Sequence, residues 1–268
     1  MYHDMLVDIG FNLTSSQFDP DRDAVLARAR DAGVEHMVLT GTSLEGSRRA
    51  LQYAQEDPKR LSATVGIHPH DARHFALSDL PEMRTLASHA IAVAIGECGL
   101  DHNRNFSTPK QQANCFEAHL KLAQESGLPL FMHERDAHDA FVEILEPYLD
   151  GQIQGIVHCF TGSRAMLSRY LDLGLYIGIT GWLCDERRGH DLRDAVRFLP
   201  LDRMMLETDA PYLIPRNIRP KPRSRRNEPM HLPHIAQSVA DIVECDVQTV
   251  ISETGRNAVQ FFGLEDRC

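Results

Sequence analysis

Short, continuous apolar runs recur along this chain, and between them lie longer stretches in which apolar residues return every three or four positions. The runs predict strands at Met5 to Val7, Met37 to Leu39, Ala63 to Ile67, Ile91 to Ile95, Leu128 to Met132, Ile153 to Val157, Leu175 to Ile179 and Met204 to Leu206. A strand that is apolar throughout, not only at alternate positions, is covered on both faces, as in a parallel sheet sheathed by helices. The clearest helix runs from Thr108 as N-cap, with Pro109 at its first position, to Gly127 as terminator. Ala113, Phe116, Leu120 and Ala123 give it one apolar stripe. Gly33 and Gly174 close two other helices just ahead of a strand, and His231 to Phe262 is expected to be helical packing after the eighth strand. Strands alternating with helices in this way predict an α/β fold, a (β/α)8 TIM barrel occupying residues 1–268 as one domain. An open doubly wound sheet shares the alternation, but it would carry a Gly-rich phosphate loop after its first strand, which this chain lacks.

Several runs end in residues able to bind a metal ion: Gly66-Ile67-His68-Pro69-His70, Gly96-Glu97-Cys98-Gly99, Phe131-Met132-His133, Val157-His158-Cys159 and Glu207-Thr208-Asp209. In a barrel the carboxyl ends of the strands converge on one mouth, so the pattern is that of a metal-dependent hydrolase. Neighbouring side chains on a strand point to opposite faces, so if Glu97 and His158 face the mouth, Cys98 and Cys159 pack behind it. Either histidine alone would read as a structural residue, and Asp209 alone as a turn or cap residue. Glu97 is the strongest of the set, because a carboxylate beside so apolar a run is costly to bury without a partner. Glu97, His133, His158 and Asp209 together form a mixed imidazole and carboxylate set that suits Mg²⁺, Mn²⁺ or Zn²⁺ without selecting among them.

At 43% hydrophobic, the chain has enough apolar material for one large core. No apolar run is long enough to cross a membrane, and Met1-Tyr2-His3-Asp4 does not begin a signal peptide. The six cysteines include no Cys-x-x-Cys pair, and reduced thiols in the cytosol are expected. A formal net charge of −10 disfavours general binding of a polyanion. Arg216, Arg219, Lys221, Arg223, Arg225 and Arg226 run against that trend in a Pro-rich segment, which predicts either a phosphate-gripping loop or a merely solvated one.

The motifs above, extended to Gly96-Glu97-Cys98-Gly99-Leu100-Asp101, His133-Glu134-Arg135, His158-Cys159-Phe160-Thr161-Gly162, Glu207-Thr208-Asp209-Ala210-Pro211-Tyr212 and Arg226-Asn227-Glu228-Pro229, resemble the TatD family of metal-dependent deoxyribonucleases over nearly the whole chain. The resemblance implies a Mg²⁺-dependent TIM-barrel nuclease that removes nucleotides from the 3′ end of single-stranded DNA in DNA repair, with RNA left open as a second substrate and Mn²⁺ or Zn²⁺ left open by the ligand set. By position, Glu97, His133 and His158 match the family's metal ligands, and Asp209 matches its last-strand carboxylate. His68 and His70 match a pair near the substrate phosphate, and Arg135 a substrate-holding position. Family members commonly open with Asp-x-His-x-His or Asp-x-His-x-Asp, where this chain has Asp8-Ile9-Gly10-Phe11-Asn12. One firmly held ion is therefore expected, and a second only loosely.

Phosphodiester hydrolysis needs a proton acceptor for the attacking water, for which Asp209 is the candidate, and donors to the phosphoryl oxygens, for which His68, His70 and Arg135 are candidates. Tyr212, Phe160 and the lone Trp182 are candidate platforms for stacked bases. A monomeric, distributive enzyme with salt-sensitive binding fits this charge distribution. Two other functions stay open: an amidohydrolase-type hydrolase of a small molecule, and a nucleic-acid-binding scaffold with a degenerate site. A Schiff-base aldolase would need a strand-end lysine, and Lys59, Lys110, Lys121 and Lys221 all fall in predicted helices or loops.

Overall fold

Each predicted strand forms; the fourth and fifth run on into polar residues, to Asp101 and Arg135, and the third stops at Val65, short of the predicted Ile67. The computed structural model describes residues 5–149, 151 and 153–265; the amino-terminal Met1 to Asp4 and Cys268 lie outside them. The strands are β1 (Leu6–Phe11), β2 (Val34–Leu39), β3 (Leu61–Val65), β4 (Ala92–Asp101), β5 (Leu130–Arg135), β6 (Gly155–Val157), β7 (Tyr176–Ile179) and β8 (Met204–Leu206). They form one eight-stranded sheet in sequence order, and Phe11 at the end of β1 makes a parallel bridge to Ala210, just beyond β8. The fold is the expected (β/α)8 TIM barrel. Nearly every strand residue is buried, which is why the strands read as continuous apolar runs.

The helices are α1 (Arg22–Asp31), α2 (Leu44–Glu56), α3 (Leu80–Ala87), α4 (Pro109–Ser126), α5 (His138–Leu145), α6 (Arg164–Asp172), α7 (His190–Val196), α8 (Leu232–Val243) and α9 (Val247–Phe262). Gly33 and Gly174 follow α1 and α6 with positive φ, as predicted. The expected helical tail forms as α8 and α9: Glu244 turns left-handed between them (φ 57°) and Asp246 caps α9 by accepting from Gln248 N.

The chain divides into two compact units, one of Leu39–His158 with Leu173–Leu175, the other of Met1–Val38, Cys159–Asp172 and Tyr176–Cys268. In the first unit α4 is the central helix. Thr108 Oγ1 accepts from Gln111 N and Gln111 Oε1 accepts from Thr108 N, a reciprocal cap whose loss would cost about 1 kcal/mol. Phe116 of α4 stacks on Phe141 of α5 with centroids 5.2 Å apart, and burying two such rings contributes about 3 to 6 kcal/mol. The buried face is broader than the apolar stripe, because it includes Gln112 and His119, both fully buried. In the second unit Asp8 of β1 accepts from Thr208 N (2.9 Å) and Thr208 Oγ1, joining residues 200 positions apart. Burial drives the Asp8 carboxyl up to about 7 against these bonds.

Candidate metal centre

Glu97 lies inside β4 at a bulge. Gly96 pairs with Phe131 of β5 and Cys98 with Met132, so Glu97 is the extra residue, and an extra residue re-aims its side chain. Only glycine allows this. Gly96 and Gly99 have φ of 148° and 135°, and a Cβ on either would run into the carbonyl of Phe131 or His133. The strand therefore continues past Ile95 to Asp101, bringing a second carboxylate to its end.

Three imidazoles converge on one oxygen of Glu97. Its Oε1 lies 2.8 Å from His158 Nε2, 3.1 Å from His133 Nδ1 and 3.2 Å from His68 Nε2. His133 turns its other nitrogen to Asp101 Oδ2 at 3.2 Å, and His70 Nε2 meets the same oxygen at 2.8 Å. Candidate ligand atoms of His68, Glu97 and His133 all lie within 4.8 Å of one another. Burial opposes charge on Glu97, yet the facing histidines hold its carboxyl well below the usual range. Asp101 is likewise held low against burial, chiefly by His133 and His70. Burial depresses His68, whereas in His133 it is outweighed by the hydrogen bonds to Asp101 and Glu97, which raise it. Buried oxygen and nitrogen donors on a shared focus fit a divalent cation, which takes carboxylate and neutral imidazole together.

Surrounding residues hold this set in place. His68 Nδ1 accepts from His70 N (3.0 Å), which aims Nε2 at Glu97. His119 Nε2 accepts from Ile67 N (2.9 Å) while Nδ1 donates to Cys115 O (2.7 Å), and burial lowers this imidazole to about 4, so it stays neutral. Gln112 accepts from Asp101 N (2.8 Å) and donates to Asp101 O and Ser107 O (both 2.9 Å). Asp101 Oδ1 accepts from Asn103 N and Arg104 N, closing the turn after β4. Cys98 is fully buried with its thiol pushed well above the ordinary range, as a packing residue should be.

The first unit thus brings together Glu97, His133, His158, His68 and His70 of the predicted residues, and it adds Asp101, Gln112 and His119. Asp101 stood in the quoted motif, four residues after Glu97; the other two carried no signal except polarity on an apolar helix face. Arg135 is exposed at the end of β5, where its carbonyl accepts from His102 N (2.9 Å). Asp209 belongs to the other unit. It is left-handed (φ 52°), donates its N–H to Gly10 O and accepts from Asn12 Nδ2, both at 2.9 Å. A Cβ on Gly10 would fall inside the carboxylate of Glu207, a fully buried residue whose Oε1 accepts from Cys159 N.

Two sequence expectations in that unit change. Arg226 is not available to grip phosphate: its guanidinium donates to Asp21 (2.7 and 2.8 Å) and Glu228 (2.7 Å) and lies over the Phe18 ring. Asp21 is too distant in sequence for local charge counting to include. Phe160 is 2% exposed and packs edge-on to Tyr170, so it is no platform. Tyr212 is exposed, and Trp182 lies beneath the Arg188 guanidinium (4.5 Å). Asp185 gathers Arg187, Arg188 and Arg216 within 3.9 Å of its carboxylate, and these three stay more than half exposed.

Residues 7–263 match the family model described as TatD related DNase. A protein of Erwinia amylovora named 3'-5' ssDNA/RNA exonuclease TatD is 51% identical over 259 residues, which cover 97% of this chain and all of that one. A TatD homologue from Escherichia coli superposes with a TM-score of 0.87 at 27% identity, covering 98% of this chain and 99% of its own. A TatD-family hydrolase from Entamoeba histolytica superposes with a TM-score of 0.86 at 25% identity, covering 97% and 98%. With this match from β1 to the end of α9, the chain belongs to the TatD-related DNase family.

Proposed function

We propose that this chain hydrolyses phosphodiester bonds from the 3′ end of single-stranded DNA, and of RNA. The observation that carries the reading is the Glu97 oxygen faced by three histidines, in a chain half identical to a protein named for that activity. Glu97, His133 and His158 would hold one divalent ion, with His68 on the same oxygen, and Mg²⁺ is the ion we assign, with Mn²⁺ or Zn²⁺ as substitutes. When bound, such an ion polarises a phosphoryl oxygen and lowers the pKa of a water. Asp209 takes the proton of the attacking water. His70, held by Asp101, and Arg135 donate to the phosphoryl oxygens as charge grows on them.

Gly10 and Asn12 supply no strong ligand, and Glu207 occupies the space a side chain at position 10 would need, so the second ion is loosely held. Arg216, Arg219, Lys221, Arg223 and Arg225 grip the phosphate backbone of a strand that net charge otherwise repels. Among the described residues no helix is long and apolar enough to cross a membrane. A monomer working in cytosolic DNA repair completes the proposal. Digestion of a 5′-labelled single-stranded oligonucleotide with Mg²⁺ tests it. A ladder shortening from the 3′ end, lost in Glu97→Ala and in EDTA, is expected; no cleavage with any divalent ion overturns it.

A further inference from the structure

The loop between β4 and α4 presents an aromatic ring beside the candidate metal centre that has no part in the proposed mechanism. Phe106 is 50% exposed, and its ring meets His70 edge-on with centroids 4.9 Å apart. His70 in turn shares Asp101 with His133, one of the histidines on Glu97. The ring therefore stands two side chains away from the proposed ligand set.

Its exposure is built in. Arg73 Nη1 donates to Phe106 O (3.0 Å), Ser107 Oγ donates to His70 O (2.9 Å) and accepts from Arg73 N (2.9 Å), and Gln112 holds Ser107 O. Asn105 is left-handed (φ 50°) and donates to His102 O, which turns the chain so that residue 106 points outward. The backbone is fixed on both sides of a large apolar side chain that half faces water. Among the described residues the other exposed aromatics are differently engaged: Phe198 carries the Arg164 guanidinium 3.3 Å from its ring centre, and Tyr212 belongs to the other unit.

We propose that Phe106 is the platform on which the 3′-terminal base of the substrate stacks, so that the last phosphodiester is placed at the Glu97 centre. This rests on the exonuclease reading above. A base–aromatic stack is indifferent to hydrogen-bonding pattern, because every base has a π-face, so it positions any terminal nucleotide and favours purines over pyrimidines by area. Such a contact changes affinity by about 5- to 150-fold on removal of either partner.

The test crosses two changes. Two 5′-fluorescein oligonucleotides of one sequence are compared, one ending in an adenine nucleotide and one in an abasic nucleotide, with the wild type, Phe106→Ala and Phe106→Trp. For the wild type, KM for the abasic end is expected to exceed that for the adenine end by about 5- to 150-fold. Phe106→Ala should raise KM for the adenine end by that factor and leave the abasic end unchanged, while Phe106→Trp should restore the difference. An equal loss on both substrates in Phe106→Ala, or a wild type indifferent to the missing base, overturns the platform. If the wild type cuts neither oligonucleotide with any divalent ion, the exonuclease reading fails. Fluorescence anisotropy of the same pair in EDTA then decides this inference: base-dependent binding lost in Phe106→Ala sustains it, and its absence overturns it.

Discussion

Replacing Gln112 by Met keeps the length and volume of the side chain but removes three hydrogen bonds, to Asp101 N, Asp101 O and Ser107 O, from a fully buried site. Because methionine fills the same space, the cavity contribution is small and the loss reports the polar groups deprived of their partner. At about 1 kcal/mol for each of the three, unfolding stability should fall by about 3 kcal/mol, and the melting temperature by about 6 to 12 °C. The effect reaches the site through Asp101, whose carboxylate orients His133 and His70. Removing such an outer partner outright weakens metal binding by about 10- to 100-fold, which sets the ceiling for displacing it. Urea denaturation without metal measures the first quantity, and calorimetric titration with Mn²⁺ the second. A stability loss below about 1 kcal/mol would refute the hydrogen-bond reasoning. A full loss with unchanged Mn²⁺ affinity would refute the link from helix to metal centre.

Asp209→Asn should abolish turnover while leaving oligonucleotide binding within a few-fold of the wild type; undiminished turnover removes Asp209 from the mechanism. Arg226→Met should destabilise most at neutral pH. The Arg226 and Arg28 guanidiniums outweigh burial and hold the Asp21 carboxyl at about 2, down from 3.8. A lowered native pKa gives stability that is present above the unfolded value and lost as pH falls through about 2, so the gap between wild type and variant should close on acidification, and a constant gap in denaturation midpoints would contradict this. Gly10→Ala should cost about 1 to 3 kcal/mol, because its methyl group meets the buried Glu207 carboxylate, and an unchanged melting temperature would mean that Glu207 has room to move.

The strands were legible because burial on both faces leaves an uninterrupted apolar run. The same criterion clipped them wherever a buried polar residue has a partner. β4 read as ending at Ile95, since Glu97 and Asp101 look like termini until one knows that histidines from three other strand ends meet them. β1 was cut at Asp8, whose partner Thr208 is 200 residues away. Glu97, His133 and His158 were legible as a set because each ends or interrupts a strand. Asp21 against Arg226, Gln112 against Asp101 and Phe106 against His70 were not, because each depends on contacts between separate elements for which the chain carries no periodic signal.

The Asp8–Thr208 hydrogen bonds and the Phe11–Ala210 bridge also bear on how this protein is made. All the residues of the candidate metal centre fall between His68 and His158, inside the nearly contiguous unit of Leu39–His158. That segment has its own strand pairings, β3 with β4, β4 with β5 and β5 with β6. Asp8 leaves 200 residues ahead of Thr208, and at ordinary synthesis rates it waits about 10 to 40 s for the partner that buries it. Until then Asp8 lacks the two hydrogen bonds that offset its burial. A truncation before Thr208 would therefore leave Asp8 without those partners while every residue of the candidate metal centre is still present.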